Sequence, residues 1–182
     1  MTERKIVTRV LQPSDAPAVA ALHAASWRSA YRNILSDAFL DGALDAHRLA
    51  WWTPKLAALP VSEAGFLALD GSAPVGFAFV TAGADARWGT LLDNLHVHPD
   101  CKGRGVGRAL LCDVGAWCIR QATHRGLYLW VWEENHAARA VYEHLGGRAE
   151  DAEAVTAPDG HVVVHRRYVW DDVQTLLKQC TP

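Results

Sequence analysis

Hydrophobic and polar positions recur along this chain with two different periods, and the switches between them mark out its elements. Residues 6–11 read as a short strand. Ser14 and Asp15 then cap a helix running to about Trp27, with Val19, Leu22 and His23 at helical spacing. A second helical region covers 36–58 and carries Phe39, Leu40, Leu44, Leu49, Trp51 and Trp52; Asp41-Gly42 and Pro54 are expected to break it. Strands at 65–69 and 74–81 flank an Asp70-Gly71 turn, 83–87 is a loop, and 89–98 is a third, longer strand. The next helix buries Val106, Leu110, Val114, Trp117 and Cys118, runs to about His124 and stops at Gly126. Residues 127–132 are continuously apolar, as in a central strand covered on both faces. Asn135 caps a further helix that ends at Gly146-Gly147. Two strands flank Pro158-Asp159-Gly160, the second over 161–170, and the tail from Asp171 reads as a short helix. This order suits an α/β (α+β) fold with a mixed sheet and helices on both faces, in a single domain over 1–182 with 171–182 as its tail.

One stretch departs from plain alternation. Residues 95–111 read LHVHPDCKGRGVGRALL: a strand, a loop of glycine and basic residues, then an amphipathic helix. Amides at a helix N-terminus, with the helix dipole behind them, attract phosphate. Gly103, Gly105 and Gly107 keep side chains out of the way and permit unusual backbone angles, while Lys102, Arg104 and Arg108 add positive charge. Alternating glycines are a conformational cost with no purpose in a simple strand–helix turn. A P-loop would need Lys and Ser or Thr after Gly107, and neither is there. A dinucleotide fingerprint would need a third glycine where Leu110 stands, among repeated βαβ units.

Composition narrows the classes. The 182 residues are half hydrophobic with a net charge of −2, so the chain is globular and has no basic field for nucleic acid. No apolar run reaches the roughly 20 residues that span a bilayer. The opening MTERKIVTRV is too short and polar for a signal peptide, which makes the cytoplasm the expected location. The four cysteines contain no CxxC pair, and no disulfide framework is expected. Cys112 and Cys118 read as small core residues, and Cys101 as a loop thiol without a His and acid partner to activate it. The nine histidines are scattered; His96 and His98 alternate on one strand face without an obvious third ligand, so polar residues near a ligand are preferred to a metal site.

The KGRGVG loop resembles the [RQ]xxGx[GA] loop of the GNAT superfamily, the acyl-CoA-dependent N-acetyltransferases. The flanking LHVHPD and RALL resemble that family's surroundings, and LWVWEENHAARAVYEHLGG (129–147) resembles its next strand and helix, with Asn135, Ala138, Tyr142 and the glycine pair in register. HAASWRSAYRNILSD resembles one bacterial branch. The first loop position, usually Arg or Gln, is Lys102, which offers phosphate a point charge in place of a fork.

The resemblance implies a mostly antiparallel, seven-stranded mixed sheet whose central strands splay into a V, helped by a bulge near Asn94. Acetyl-CoA would be the co-substrate, with no metal. Its pyrophosphate would rest on residues 103–108 (Gly103, Arg104, Gly105, Val106, Gly107, Arg108) and its pantetheine on the strand edge at Leu95, His96 and Val97. Asn135 and Ala138 would complete that side. Tyr142 would protonate the leaving thiolate, and a backbone N–H near 95–97 would hold the oxyanion. Asp93, sharing a strand face with Leu95 and Val97, is the candidate base; Glu133 and Glu134 are the alternatives.

The acceptor site in this family forms from the first two helices and the loop before the last strand. Trp27 and Tyr31 are the pocket candidates here; Trp51, Trp117, Trp130 and Trp132 read as packing residues. No acidic cluster or basic groove names the amine. The reading is an N-acetyltransferase acting on a small-molecule or peptide amine. Its alternatives are a catalytically silent acyl-CoA sensor and an enzyme for protein N-termini or lysines. Neither nucleic acid nor membrane is an expected partner. Relatives are often dimers, and the last strands offer an edge for a homodimer.

Overall fold

The computed structural model describes residues 6–121 and 126–178. Seven strands form one sheet: β1 (Ile6–Val10), β2 (Glu63–Asp70), β3 (Ala73–Asp85), β4 (Gly89–Val97), β5 (Leu127–Trp132), β6 (Arg148–Thr156) and β7 (Val162–Trp170). Their order is β1-β2-β3-β4-β5-β7-β6. Every neighbouring pair is antiparallel except β4–β5, which is parallel. The sheet is therefore mixed and mostly antiparallel, in line with the sequence reading.

Helices α1 (Ala16–Ala30), α2 (Asp37–Asp41) and α3 (Leu44–Ala57) cover one face; α4 (Val106–Gln121), α5 (His136–His144) and α6 (Val173–Lys178) lie on the other. Strand β3 shows how the chain serves both faces. Phe77 and Phe79 pack against Trp52 and Leu22, while Ala78 and Val80 join Leu110 and Val114 of α4. Gly76 sets how closely α4 approaches: a Cβ there would stand 2.9 Å from both the His96 carbonyl and Val106 Cγ1.

Several boundaries differ from expectation. Pro54 lies inside α3 and does not end it. Leu44, Arg48, Trp52 and Leu56 bury one continuous stripe, and that packing carries the helix past the missing amide. The break at Gly42 is real: a Cβ there would meet the Ala38 carbonyl oxygen at 2.6 Å. Strand β3 runs on to Asp85, so the expected 83–87 loop shrinks to a turn in which Asp85 Oδ1 accepts from the Arg87 and Trp88 amides. Trp51 is 53% exposed and is no core residue; its neighbour Trp52 takes that place. Cys118 is buried and free, whereas Cys112 is half-buried and disulfide-bonded, contrary to expectation. The expected helix end at His124 and the last residues of the tail lie outside the described residues. No helix among the described residues is long and apolar enough to cross a membrane.

Candidate active site

The sheet is weakest at its centre. β4 and β5 pair only through Thr90–Leu127 and Leu91–Tyr128. Just beyond, the β3–β4 register jumps from Val80–Leu92 to Phe79–Asn94, leaving Asp93 as the extra residue of a bulge. The two strands then separate around a cleft of about 490 Å³, bounded by residues 92–97 of β4, 129–132 of β5, the loop before α4, and helices α1 and α5. Past Leu91, the edge of β4 that faces β5 has no strand partner.

The bulge corrects one expectation. It resets the alternation of β4, so Leu95 and Val97 pack on the α4 side with Leu92, while His96 pairs with Phe77 and Asn94 with Phe79 on the α1–α3 side. Asp93 goes with Asn94, which donates to its carboxylate at 2.8 Å, and not with Leu95 and Val97. Asp93 lines the cleft, open to its solvent but surrounded by protein. Desolvation raises its carboxyl above the ordinary range, opposed by Lys55 and the Asn94 hydrogen bond and reinforced by Glu63. The alternative bases are placed elsewhere. Glu133 is bound to Arg166 at 2.7 Å and to Arg139 at 3.0 Å, which depresses its carboxyl, and Glu134 lines a separate shallow depression beside Arg32 and His161.

At the other end of the cleft stands the glycine loop. Gly103 and Gly105 have φ of 73° and 78°, angles open to glycine at no steric cost. Gly107 is an ordinary helical residue, with its absent Cβ 3.7 Å from Val97 Cγ2. The Ala109 amide bonds the Gly105 carbonyl one turn back, which places the N-terminus of α4 at the glycine loop. Lys102, Gly103, Gly105, Val106, Gly107 and Arg108 all line the cleft. Arg104 does not. Its guanidinium turns outward to the Asp70 carboxylate at 2.7 Å and to Cys101 Sγ at 3.7 Å, fastening the loop to the end of β2.

Helix α5 supplies the far wall. Asn135 Oδ1 accepts from the Ala138 amide at 3.3 Å, the expected cap, and its side chain lies near Tyr31 across the cleft. Tyr142, one turn beyond Ala138, lines the cleft and packs against Tyr168 and Trp170 with ring centroids 5.9 and 6.2 Å away. Burial, with Tyr31 nearby, raises its hydroxyl far above the ordinary phenol value, so it stays protonated.

Trp27, Tyr31 and Trp132 form a three-ring wall, with centroids 5.5 Å apart for Trp27–Tyr31, 4.1 Å for Tyr31–Trp132 and 5.7 Å for Trp27–Trp132. Burial pushes the Tyr31 hydroxyl up to about 12. Trp130 and Trp132, expected only to pack, line the cleft as well. Trp130 stacks on His165 at 4.0 Å beneath the Arg167 guanidinium, 4.2 Å from its ring. Trp117 is a core residue, as read. The sequence reading missed His23 and Ser26, which also line the cleft, and Arg48 beside them. The available signal was polarity in the wrong place: His23 and Ser26 in the buried stripe of α1, and Arg48 between Leu44 and Trp52 in that of α3. Among the described residues, no three of His, Cys, Asp and Glu come together as metal ligands.

The chain is 27% identical over 155 residues to a probable N-acetyltransferase of Mycobacterium tuberculosis, covering 81% of this chain and 85% of that one. Its fold is similar to the PaiA N-acetyltransferase of Thermoplasma acidophilum, solved with coenzyme A, at a TM-score of 0.72 and 18% identity over 89% of this chain and 98% of the other. It is similar also to YncA of Salmonella typhimurium, solved with acetyl-CoA, at a TM-score of 0.65 and 18% identity over 91% of this chain and 93% of the other. The model of the acetyltransferase (GNAT) family matches residues 20–147. That span takes in most of α1, the splayed strands, the glycine loop and α5, and the chain belongs to the acetyltransferase (GNAT) family.

Proposed function

We propose that this chain transfers an acetyl group from acetyl-CoA to the primary amine of a small molecule by direct attack within a ternary complex. The observation that carries the reading is the alignment of the unpaired β4 edge with the positive-φ glycine loop at one end and Asp93 and Tyr142 along the cleft between them. PaiA and YncA, with the same fold, were solved with coenzyme A and acetyl-CoA.

In this reading the amides from Gly103 to Arg108 receive the pyrophosphate, with Lys102 and Arg108 adding charge; charge-assisted bonds of this kind are worth about 1.5–3 kcal/mol each. The pantetheine amides pair with β4 at Leu95–Val97 as an added strand would, and Asn135 and Ala138 close the other side. The incoming ammonium gives a proton to Asp93, whose raised basicity suits the task. The amine nitrogen attacks the thioester carbonyl, a backbone N–H of 95–97 holds the oxyanion, and the carbon–sulfur bond breaks. Tyr142 supplies the proton to the departing thiolate, and the second proton that nitrogen sheds as it becomes the amide reprotonates Tyr142 by way of water in the cleft. The rings of Trp27, Tyr31 and Trp132 line the acceptor side of the cleft, which suits a small amine.

The test is thiol release from acetyl-CoA across an amine library, with products read by mass. Coenzyme A binding by calorimetry without transfer to any amine would instead identify an acyl-CoA sensor.

A further inference from the structure

The acceptor half of the cleft contains a group of donors with no acceptor to meet them. Trp52 Nε1–H donates to His23 Nδ1 at 2.9 Å, so the His23 proton sits on Nε2. That Nε2 is buried with no hydrogen-bond partner, and the ring, 2% exposed, lines the cleft. His96 stacks on His23 with centroids 4.4 Å apart, and its Nδ1 lies 3.0 Å from Ser26 Oγ. Whichever way that bond runs, one donor remains: the Ser26 O–H if Nδ1–H donates, or His96 Nε2–H if Ser26 donates.

Behind these groups is Arg48, 6% exposed, its guanidinium carbon 4.6 Å from the Trp27 ring centroid. Its Nε donates to His47 Nδ1 at 3.2 Å, and among the described residues it has no carboxylate partner. A buried arginine without an acid is costly to keep. His96, Arg48 and His47 act on His23, and Arg48 and Lys102 act on His96, with no acid among them. Asp93 stands apart, near Lys55 and Glu63.

From this arrangement we infer that the floor of the acceptor cleft, formed by His23, Ser26 and His96 with Arg48 behind them, is a subsite for an anionic group on the acceptor, so that the substrate is an amine that also carries a carboxylate. The amine meets Asp93; the carboxylate accepts from His23 Nε2–H and the Ser26–His96 pair and neutralises Arg48. The inference rests on the acetyltransferase reading above and names its substrate class.

The test compares acetylation of glycine, β-alanine, 4-aminobutyrate and phenylalanine with that of their methyl esters, in the unmodified protein and in Arg48→Gln. The readout is how the substitution changes each acid relative to its ester, which cancels the intrinsic difference between the amines. At least one acid should lose tenfold or more in kcat/KM, while its ester changes less than twofold and coenzyme A affinity holds. Arg48→Lys should restore part of the loss. Equal losses for acid and ester, or a fall in coenzyme A affinity in place of the acid effect, would overturn the subsite. A second arm needs no turnover: calorimetry of the corresponding N-acetyl amino acids against their N-methyl amides, with and without coenzyme A. Carboxylate-dependent binding that is lost in Arg48→Gln supports the subsite; binding by neither member, or by both alike, overturns it. Failure of transfer alongside carboxylate binding would count against the acetyltransferase reading alone. Finally, Arg48→Met should raise the denaturant midpoint, because a buried cation held for a ligand burdens the free protein; a lower midpoint would mark Arg48 as structural.

Discussion

Asn94 donates its side-chain amide to the carboxylate of Asp93 at 2.8 Å, across adjacent residues that share one face because of the bulge. That bond favours the charged carboxylate while desolvation disfavours it, and desolvation is the larger effect. As a base, Asp93 works deprotonated, so activity should fall as pH drops through its raised value, above the ordinary carboxylate range. Asp93→Asn should cut kcat by about 10²–10⁴-fold and remove that acid limb. Asn94→Ala should move the limb to higher pH with a smaller loss at neutral pH. Profiles of kcat/KM against pH check both, and an Asn94→Ala limb that stays in place would exclude the pair from proton transfer.

Tyr142→Phe should lower turnover by about 10–10³-fold and leave the dissociation constant of coenzyme A within threefold of its starting value. The ring packing on Tyr168 and Trp170 is kept and only the proton is lost. Because burial raises this hydroxyl, it should add no alkaline limb to the profile in the unmodified protein. Single-turnover rates with calorimetry separate the two effects.

The three basic residues of the glycine loop should not be equivalent. Lys102 lines the cleft and Arg104 is engaged with Asp70. Lys102→Ala should weaken coenzyme A binding about three- to tenfold, and Arg104→Ala less than twofold. Gly105→Ala forces a side chain into a φ of 78°, at a cost of about 1–2 kcal/mol, and should weaken coenzyme A by roughly tenfold. Titration calorimetry on the three variants ranks them.

Stability should fall in mild acid. Burial holds the His96 ring down at about 3 and the His23 ring well below its usual value. The unfolded chain therefore binds protons that the folded chain refuses once pH drops below about 6.5, the ordinary histidine value. The contribution is complete above that value and shrinks below it, by up to about 1.4 kcal/mol per pH unit for each histidine. Denaturant midpoints between pH 7 and 5 should show this slope, and His96→Gln should flatten it.

The elements that form the glycine-loop end of the cleft were legible in the sequence, and the grouping of side chains at the α1–α3 end was not. The 127–132 strand, the Asn135 cap and the glycine loop depend on local signals: apolar continuity, one side-chain oxygen and two positive φ angles. Asp93 was legible as a residue, but its face was misread, because one inserted residue inverts an alternation that otherwise looks regular. Arg104 was legible as a basic loop residue, but the engagement of its guanidinium by Asp70, 34 positions earlier in the chain, was not, because no local pattern announces it. His23, Ser26 and Arg48 become a group only when α1, α3 and β4 meet, and no periodicity within one helix announces that meeting.

The pairing of β4 with β5 through two residue pairs has a mechanical meaning. The seven strands behave as a four-strand and a three-strand leaf bound along a short spine at Thr90 and Leu91. A cofactor that hydrogen-bonds the open margin of β4 supplies the missing rung and makes the two leaves continuous. Occupancy of the cleft should then be felt as stiffness across the whole sheet, with slowed amide exchange at 92–97 and 129–132 well before any acetyl group moves.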